Sequence, residues 1–159
     1  MMCDCKELIP KMYKGERACC EYLTASKIRH KRQVYIPELP GRYFEFQFRI
    51  GERRYLLEFD NSHHFEDVTC FGLTFRELRN IDIEKTLAAI KAGYFLIRID
   101  FTCLDDIQSH IDRAIVSSLK PSLKSSKSSN SSSGQLYYLS TPKLYNYILN
   151  EICSRRVQV

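Results

Sequence analysis

The clearest pattern in the chain is a strict alternation of apolar and polar residues in two consecutive segments, Tyr43–Ile50 and Arg53–Asp60. The first places Phe, Phe, Phe and Ile on one face, and the second alternates Tyr, Leu and Phe with Leu, Glu and Asp. Alternation with period two and many aromatic residues predicts β-strands. Gly51 and Glu52 stand between the segments and fit a two-residue loop of type II′, which places glycine first. The sequence therefore predicts a β-hairpin.

The register of this hairpin brings acidic residues together. A two-residue loop pairs Ile50 with Arg53, and counting back along both strands sets Glu45 opposite Glu58. Like charges that face each other across a sheet are destabilising. A divalent cation between them reverses the sign of this interaction, because hard cations bind carboxylate oxygens. Asp60 shares the face of Glu58, so we hypothesise three carboxylates on one wall of a metal site.

Further strand and helix patterns surround the hairpin. They are a helix from Lys14 to about Thr24, a strand over 33–36, a helix over 75–92, a strand over 94–101 and a helix opened by Thr102 with Asp105 in a capping-box arrangement. Gly93 is placed to end the 75–92 helix, since glycine readily adopts the left-handed conformation after a helix. Strand, helix and strand in this order suit a βαβ crossover. The predicted fold class is α/β, with a central mixed sheet of about four strands flanked by helices.

The composition changes sharply after the last of these helices. Residues 117–134 are rich in serine and lysine without apolar periodicity, which predicts a flexible linker. We divide the chain into a lead-in (1–13), an α/β domain (14–118), a linker (119–134) and a C-terminal segment (135–159). A short helix is expected over 142–153, and the sequence leaves open whether it docks on the body, contacts a protein partner or stays exposed.

Length and composition indicate an ordinary globular domain. The 159 residues are 44% hydrophobic and 27% charged, which suits one domain with its own core. We find no apolar run of the roughly 20 residues needed for a membrane helix and no signal-peptide pattern at the N-terminus. The seven cysteines include no CxxC pair. We therefore expect reduced thiols and an intracellular protein, cytoplasmic or nuclear, with no membrane partner.

Basic residues are unevenly distributed. The net charge of +5 lies in residues 117–159, and the remainder is neutral. A second basic cluster consists of Lys27, Arg29, Lys31 and Arg32. Such a cluster is compatible with a solvated turn, a nuclear-import signal or an edge that contacts phosphates. We take these four residues as candidate nucleic-acid contacts.

Several polar residues outside the hairpin have both a structural and a chemical interpretation. Glu16 suits the first turn of a helix, where the dipole favours an acid. Asp82 and Lys85 are three apart on a helix and suit a surface ion pair. Phosphodiester hydrolysis uses one or two Mg²⁺ ions that activate water, together with cations that stabilise the charge on phosphate. Carboxylates on adjacent strands with a nearby lysine would supply these parts.

The order of five segments resembles that of PD-(D/E)xK restriction-endonuclease-like nucleases, in particular the small branch similar to very-short-patch-repair endonucleases and to phage and homing endonuclease domains. The segments are KGE (14–16), FEF (44–46), LEFDNSHHF (57–65), DIEK (82–85) and GYFLIRI (93–99). The resemblance covers about residues 14–118. The chain departs from the pattern in having Glu45 for aspartate, Asn61 for glycine and His63 for glutamine.

The resemblance implies a restriction-endonuclease-like sheet and an endonuclease dependent on Mg²⁺ or Mn²⁺, with DNA favoured over RNA as the nucleic-acid partner. It assigns the ion to Glu45, Glu58 and Asp60, with Glu16 assisting. A homodimer stays open.

The resemblance also assigns roles to residues outside the carboxylate wall. Lys85 would hold water or phosphate in place of a lysine at the Asp60 position, and Asp82 would orient Lys85. His64, or less directly His63, would act as base or extra ligand. Two other classes remain: a non-catalytic nucleic-acid-binding module, and an interaction protein that uses the C-terminal aromatic helix.

Overall fold

A computed structural model describes residues 12–67, 72–119 and 136–155. In these ranges the chain forms four α-helices, five β-strands and three short 3₁₀ helices. The α-helices are α1 (Lys14–Ala25), α2 (Phe75–Lys91), α3 (Ile107–Leu119) and α4 (Asn146–Ser154). The strands are β1 (His30–Tyr35), β2 (Tyr43–Ile50), β3 (Arg53–Asp60), β4 (Phe95–Asp100) and β5 (Tyr137–Leu139). The 3₁₀ helices are Ser62–His64, Phe101–Asp106 and Pro142–Tyr145.

The five strands form one mixed sheet in chain order, β1 to β5. The pairs β1–β2 and β2–β3 are antiparallel, and β3–β4 and β4–β5 are parallel. Helix α2 connects β3 to the parallel strand β4, which confirms the predicted crossover. The α/β class is confirmed, while the expectation of about four strands missed β5. In the described ranges, we see no helix that is both long and apolar enough to span a membrane.

The hairpin has the predicted bounds and register. Ile50 pairs with Arg53, and the pairing continues to Phe46 with Leu57. Gly51 has a φ of 58°, and Glu52 is not among the described non-glycine residues with positive φ, as a type II′ loop requires. The two-residue loop thus determines which residues of β2 and β3 lie opposite each other.

Strand β2 changes face at Glu45. Phe46 packs with Leu57 and α1 on one face of the sheet, whereas Phe44 packs with Leu56 and α2 on the other. The prediction that Phe44 and Phe46 share a face is therefore wrong. The neighbouring strand β1 is irregular at the same level. Gln33 has a φ of 50° and is absent from the pairing, although the residues before and after it pair with β2 in one continuous register. Both interruptions lie at the end of the hairpin that carries the acidic residues.

Helix ends follow local chemistry, with one correction. Gly93 has a φ of 76° directly after the C-cap of α2, as predicted. The predicted cap at Thr102 is wrong: the Asp100 side chain accepts from the Thr102 N–H, and a 3₁₀ helix precedes the regular helix that begins at Ile107. That helix continues to Leu119, so the predicted linker cannot begin at 117. Residues 120–134 of the linker and 1–11 of the lead-in lie outside the described residues.

The C-terminal segment is part of the same folded unit. Strand β5 pairs in parallel with β4, and α4 packs against α2. Tyr145 and Ile148 are buried in this contact. Of the three arrangements left open by the sequence, the structure shows docking on the body.

Candidate functional site

Glu45 and Glu58 form a reciprocal carboxylate pair at the end of the hairpin. The backbone N–H of Glu45 donates to Glu58 Oε1 at 2.9 Å, and the backbone N–H of Phe59 donates to Glu45 Oε2 at 2.8 Å. Side-chain oxygens thus bind strand amides just beyond the Phe46–Leu57 pair, where β2 changes face. The two carboxylates are held side by side by the backbone of the opposite strand.

The electrostatics of this pair favour a cation. Burial, followed by the negative charge of Glu58, raises the pKa of Glu45 well above its usual range. Lys85 reaches Glu58 from α2, with Nζ 2.5 Å from Oε2. With both carboxylates ionised, one lysine would leave a net negative charge in a largely buried position, and a bound metal ion would neutralise it.

Glu16 and Arg32 lie beside the pair. Glu16 is in the first turn of α1 and forms an ion pair with Arg32 of β1, and its charge contributes to the raised pKa of Glu45. Gly15 explains how α1 approaches the sheet: a Cβ at this position would lie 2.0 Å from the Phe59 ring. Only glycine allows this approach, which places Glu16 near the end of β3. The cluster of Glu16, Arg32, Glu45, Glu58 and Lys85 is called the carboxylate site below.

A second polar cluster, the arginine network, lies further along β3 and α2. Its centre is Arg98, which is fully buried in β4. Arg98 donates to both oxygens of Asp60 at 2.8 and 2.6 Å and to Asp82 at 2.7 Å. The C-terminal segment completes the network, because Tyr145 donates to Asp60 at 2.9 Å and Tyr147 donates to Asp82 at 2.8 Å.

His64 also belongs to the arginine network. Its Nδ1 lies 2.9 Å from Asp82, and Asp60, His64 and Asp82 each offer a ligand atom within 4.8 Å of the others. This geometry could hold a metal ion, but Arg98 already pairs with both carboxylates. Burial opposes the charged form of His64, yet its hydrogen bond to Asp82 and the charges of both acids raise its pKa, so His64 is suited to supply the second positive charge. Burial opposes ionisation of Asp82, yet the charge of Arg98 prevails and holds its pKa well below the usual range. We therefore interpret this network as structural.

The structure separates the predicted site residues into these two clusters. The carboxylate site contains Glu16, Glu45, Glu58 and Lys85, and the arginine network contains Asp60, His64 and Asp82. Of the three carboxylates in the predicted wall, Glu45 and Glu58 bind each other's strands, whereas Asp60 binds Arg98. Among the described residues, Lys85 forms its ion pair with Glu58 and not with Asp82. The carboxylate of Asp82 contacts Arg98, His64 and Tyr147.

The remaining predicted residues lie nearby or on the surface. The ring of His63 is 4.6 Å from that of His64, and burial lowers the pKa of His63. Lys27, Arg29 and Lys31 are exposed, whereas Arg32 is directed to Glu16.

Sequence reasoning missed Arg98, Tyr145 and Tyr147 as members of a network. A signal for Arg98 existed, since a lone arginine in the most apolar strand of a protein needs buried acidic partners.

The two clusters share β3 and α2, so the arginine network fixes the strand and helix that carry Glu58 and Lys85. Chemically, the carboxylate site offers oxygen ligands for a hard cation and a lysine next to them for a phosphate. No family model matches the chain, and no curated protein or solved structure matches it either.

Proposed function

We propose that this chain is an endonuclease dependent on Mg²⁺ or Mn²⁺ that hydrolyses phosphodiester bonds in nucleic acid, with DNA favoured, on a restriction-endonuclease-like fold. The observation that supports this most is the Glu45–Glu58 pair, held together by reciprocal backbone hydrogen bonds with Lys85 on one member. A like-charge pair at the ends of two strands costs stability. A function that requires both carboxylates, such as binding a cation, would explain why the pair is present.

The donor set fits a hard divalent cation. Each carboxylate uses one oxygen for a backbone N–H. Two carboxylate oxygens remain. Glu58 Oε2 binds Lys85, and Glu45 Oε1 accepts no hydrogen bond from the described residues. Glu45 and Glu58 would hold the ion, which would polarise the phosphate and lower the pKa of an attacking water. Asp60 is left out of this ligand set because Arg98 already neutralises it.

Two cations lie at the carboxylate site, and Lys85 is the one suited to the phosphate. The Lys85 ammonium is anchored next to the pair and can stabilise the negative charge that develops on the phosphate during hydrolysis. Arg32 adds a second, largely buried positive charge on the β1 side of the site. Glu16 holds Arg32 in this position.

The proposal is tested by cleavage of plasmid, single-stranded DNA and RNA with Mg²⁺, with Mn²⁺ and with EDTA. We expect metal-dependent cleavage that falls roughly 100-fold or more in Glu58→Gln and in Lys85→Met, the size of effect seen when one electrostatic catalytic group is removed. Matched controls are Glu52→Gln in the hairpin loop and Lys91→Met at the end of α2, both exposed. These two variants should cleave like the wild type.

Two results would contradict the proposal. Cleavage that survives in both Glu58→Gln and Lys85→Met would exclude the assigned site. Tight nucleic-acid binding by a folded wild type that cuts none of the substrates would instead favour a non-catalytic binding module.

A further inference from the structure

Exposed aromatic residues gather beside the carboxylate site. In the described part of the chain five large hydrophobic side chains are exposed, and three of them are Tyr13, Tyr35 and Tyr43. Tyr35 and Tyr43 face each other across β1 and β2, with ring centroids 6.0 Å apart at an angle of 68°. They retain 62% and 42% exposure, so each ring keeps a large part of its surface open to solvent.

The tyrosine pair lies close to the residues assigned to catalysis. Lys85 Nζ is 6.0 Å from the centroid of the Tyr43 ring and 2.5 Å from Glu58. Tyr43 is thus an immediate neighbour of the lysine assigned to the phosphate, and Tyr35 lies beside Tyr43.

The charge along the same edge of the sheet suits a polyanion. Residues 26–35, which lead into and form β1, contain Lys27, Arg29, Lys31 and Arg32 and no acidic residue. The first three are exposed, Lys31 in this edge strand and Lys27 and Arg29 just before it. Proteins that bind single-stranded nucleic acid combine basic residues that follow the backbone with aromatic rings on which bases stack. The edge at β1 has both components.

We propose that Tyr35 and Tyr43 form a stacking platform for an unpaired base, so that the substrate of the carboxylate site is single-stranded nucleic acid or a single-stranded segment next to the cut. This inference rests on the proposed function. A base in a duplex is stacked on its neighbours and paired, and only an unpaired base can present its face to an exposed tyrosine. The phosphate next to the stacked base would then lie at Lys85 and Glu58.

The test is a binding measurement that does not depend on cleavage. Fluorescence anisotropy with a labelled oligothymidylate and with a blunt duplex, both in EDTA, would compare wild type with Tyr35→Ala, Tyr43→Ala and the double variant. We expect the alanine variants to bind the single strand roughly 5- to 150-fold more weakly per ring, while duplex binding changes less than about twofold. Tyr35→Phe and Tyr43→Phe keep the ring and should bind like the wild type.

Val116→Ala is a matched control, since it removes an exposed apolar side chain from α3. Its binding should be unchanged. Single-strand binding that is unaffected by Tyr35→Ala and Tyr43→Ala, or lost equally for the duplex, would overturn the inference, and so would a wild type that does not bind the oligothymidylate. Because both tyrosines are exposed, Tyr35→Ala is expected to fold, which circular dichroism would verify.

The two proposals can fail separately. Ring-dependent single-strand binding by a protein that never cuts would refute the nuclease and keep the platform. Metal-dependent cleavage that is indifferent to both alanine substitutions would keep the nuclease and refute the platform.

Discussion

Replacing Arg98 with methionine tests the arginine network that supports the carboxylate site. Arg98 is fully buried and forms ion pairs with both Asp60 and Asp82. Methionine fills much of the same space but leaves the two buried carboxylates with His64 as their one remaining cationic partner among the described residues. Removal of one partner from a buried ion pair costs about 3–5 kcal/mol. At about 2–4 °C per kcal/mol for a chain of this size, the melting temperature should fall by roughly 6–20 °C.

The assay is thermal and urea unfolding followed by circular dichroism at pH 7. Arg113→Met is the matched control, because Arg113 is exposed and pairs with Asp106 on the surface. This control should lose less than about 1 kcal/mol. Adding Asp60→Asn and Asp82→Asn to Arg98→Met removes the stranded charges. We expect the triple variant to recover part of the lost stability.

The reasoning would be refuted if Arg98→Met unfolded within about 1 kcal/mol of the wild type. It would also be refuted if the two asparagine substitutions deepened the loss. Either result would mean that Asp60 and Asp82 are not ionised partners of Arg98 in the folded protein. The interpretation of this network as structural, and not as a metal site, would then be wrong.

Two further predictions concern the elements around the carboxylate site. Gly15→Ala places a methyl carbon 2.0 Å from the Phe59 ring, so we expect a loss of about 1–3 kcal/mol in urea unfolding, despite the better helix propensity of alanine. Unchanged stability would contradict the close approach of α1. In Glu45→Gln, one of two facing carboxylates is removed. Because burial and Glu58 raise the pKa of Glu45 in the folded protein, its ionisation costs stability as the pH rises above about 4.3. Without metal, the variant should therefore be more stable than the wild type at pH 8, with the difference vanishing near pH 4, and a less stable variant at pH 8 would refute this.

The hairpin was predictable because its determinants are local. Alternation defines the two strands, and the two-residue loop at Gly51 determines their register. The proximity of Glu45 and Glu58 therefore followed from counting, although the observed pairing ends at Phe46 and Leu57. The change of face between Phe44 and Phe46 could not be predicted in this way. Counting assumes a regular pleat, whereas Gln33 and Glu45 interrupt it through a strained φ and side-chain hydrogen bonds to the backbone.

Contacts between distant parts of the chain were beyond sequence reasoning. Strand β5 has three residues, too few for an alternating pattern to stand out, and it follows a long serine-rich stretch. Asp60 was predicted to join Glu58 because the two share a face of β3. Arg98 from β4 and Tyr145 from the C-terminal segment bind Asp60 instead, and nothing local to Asp60 indicates either partner.

The central claim, that Glu45 and Glu58 form the metal centre of a nuclease, is tested most directly by anomalous diffraction from crystals soaked in Mn²⁺. The account predicts a manganese peak with an oxygen of Glu45 and an oxygen of Glu58 each about 2.1 Å away. A peak confined to Asp60, His64 and Asp82, or no peak at the Glu45–Glu58 pair, would contradict it.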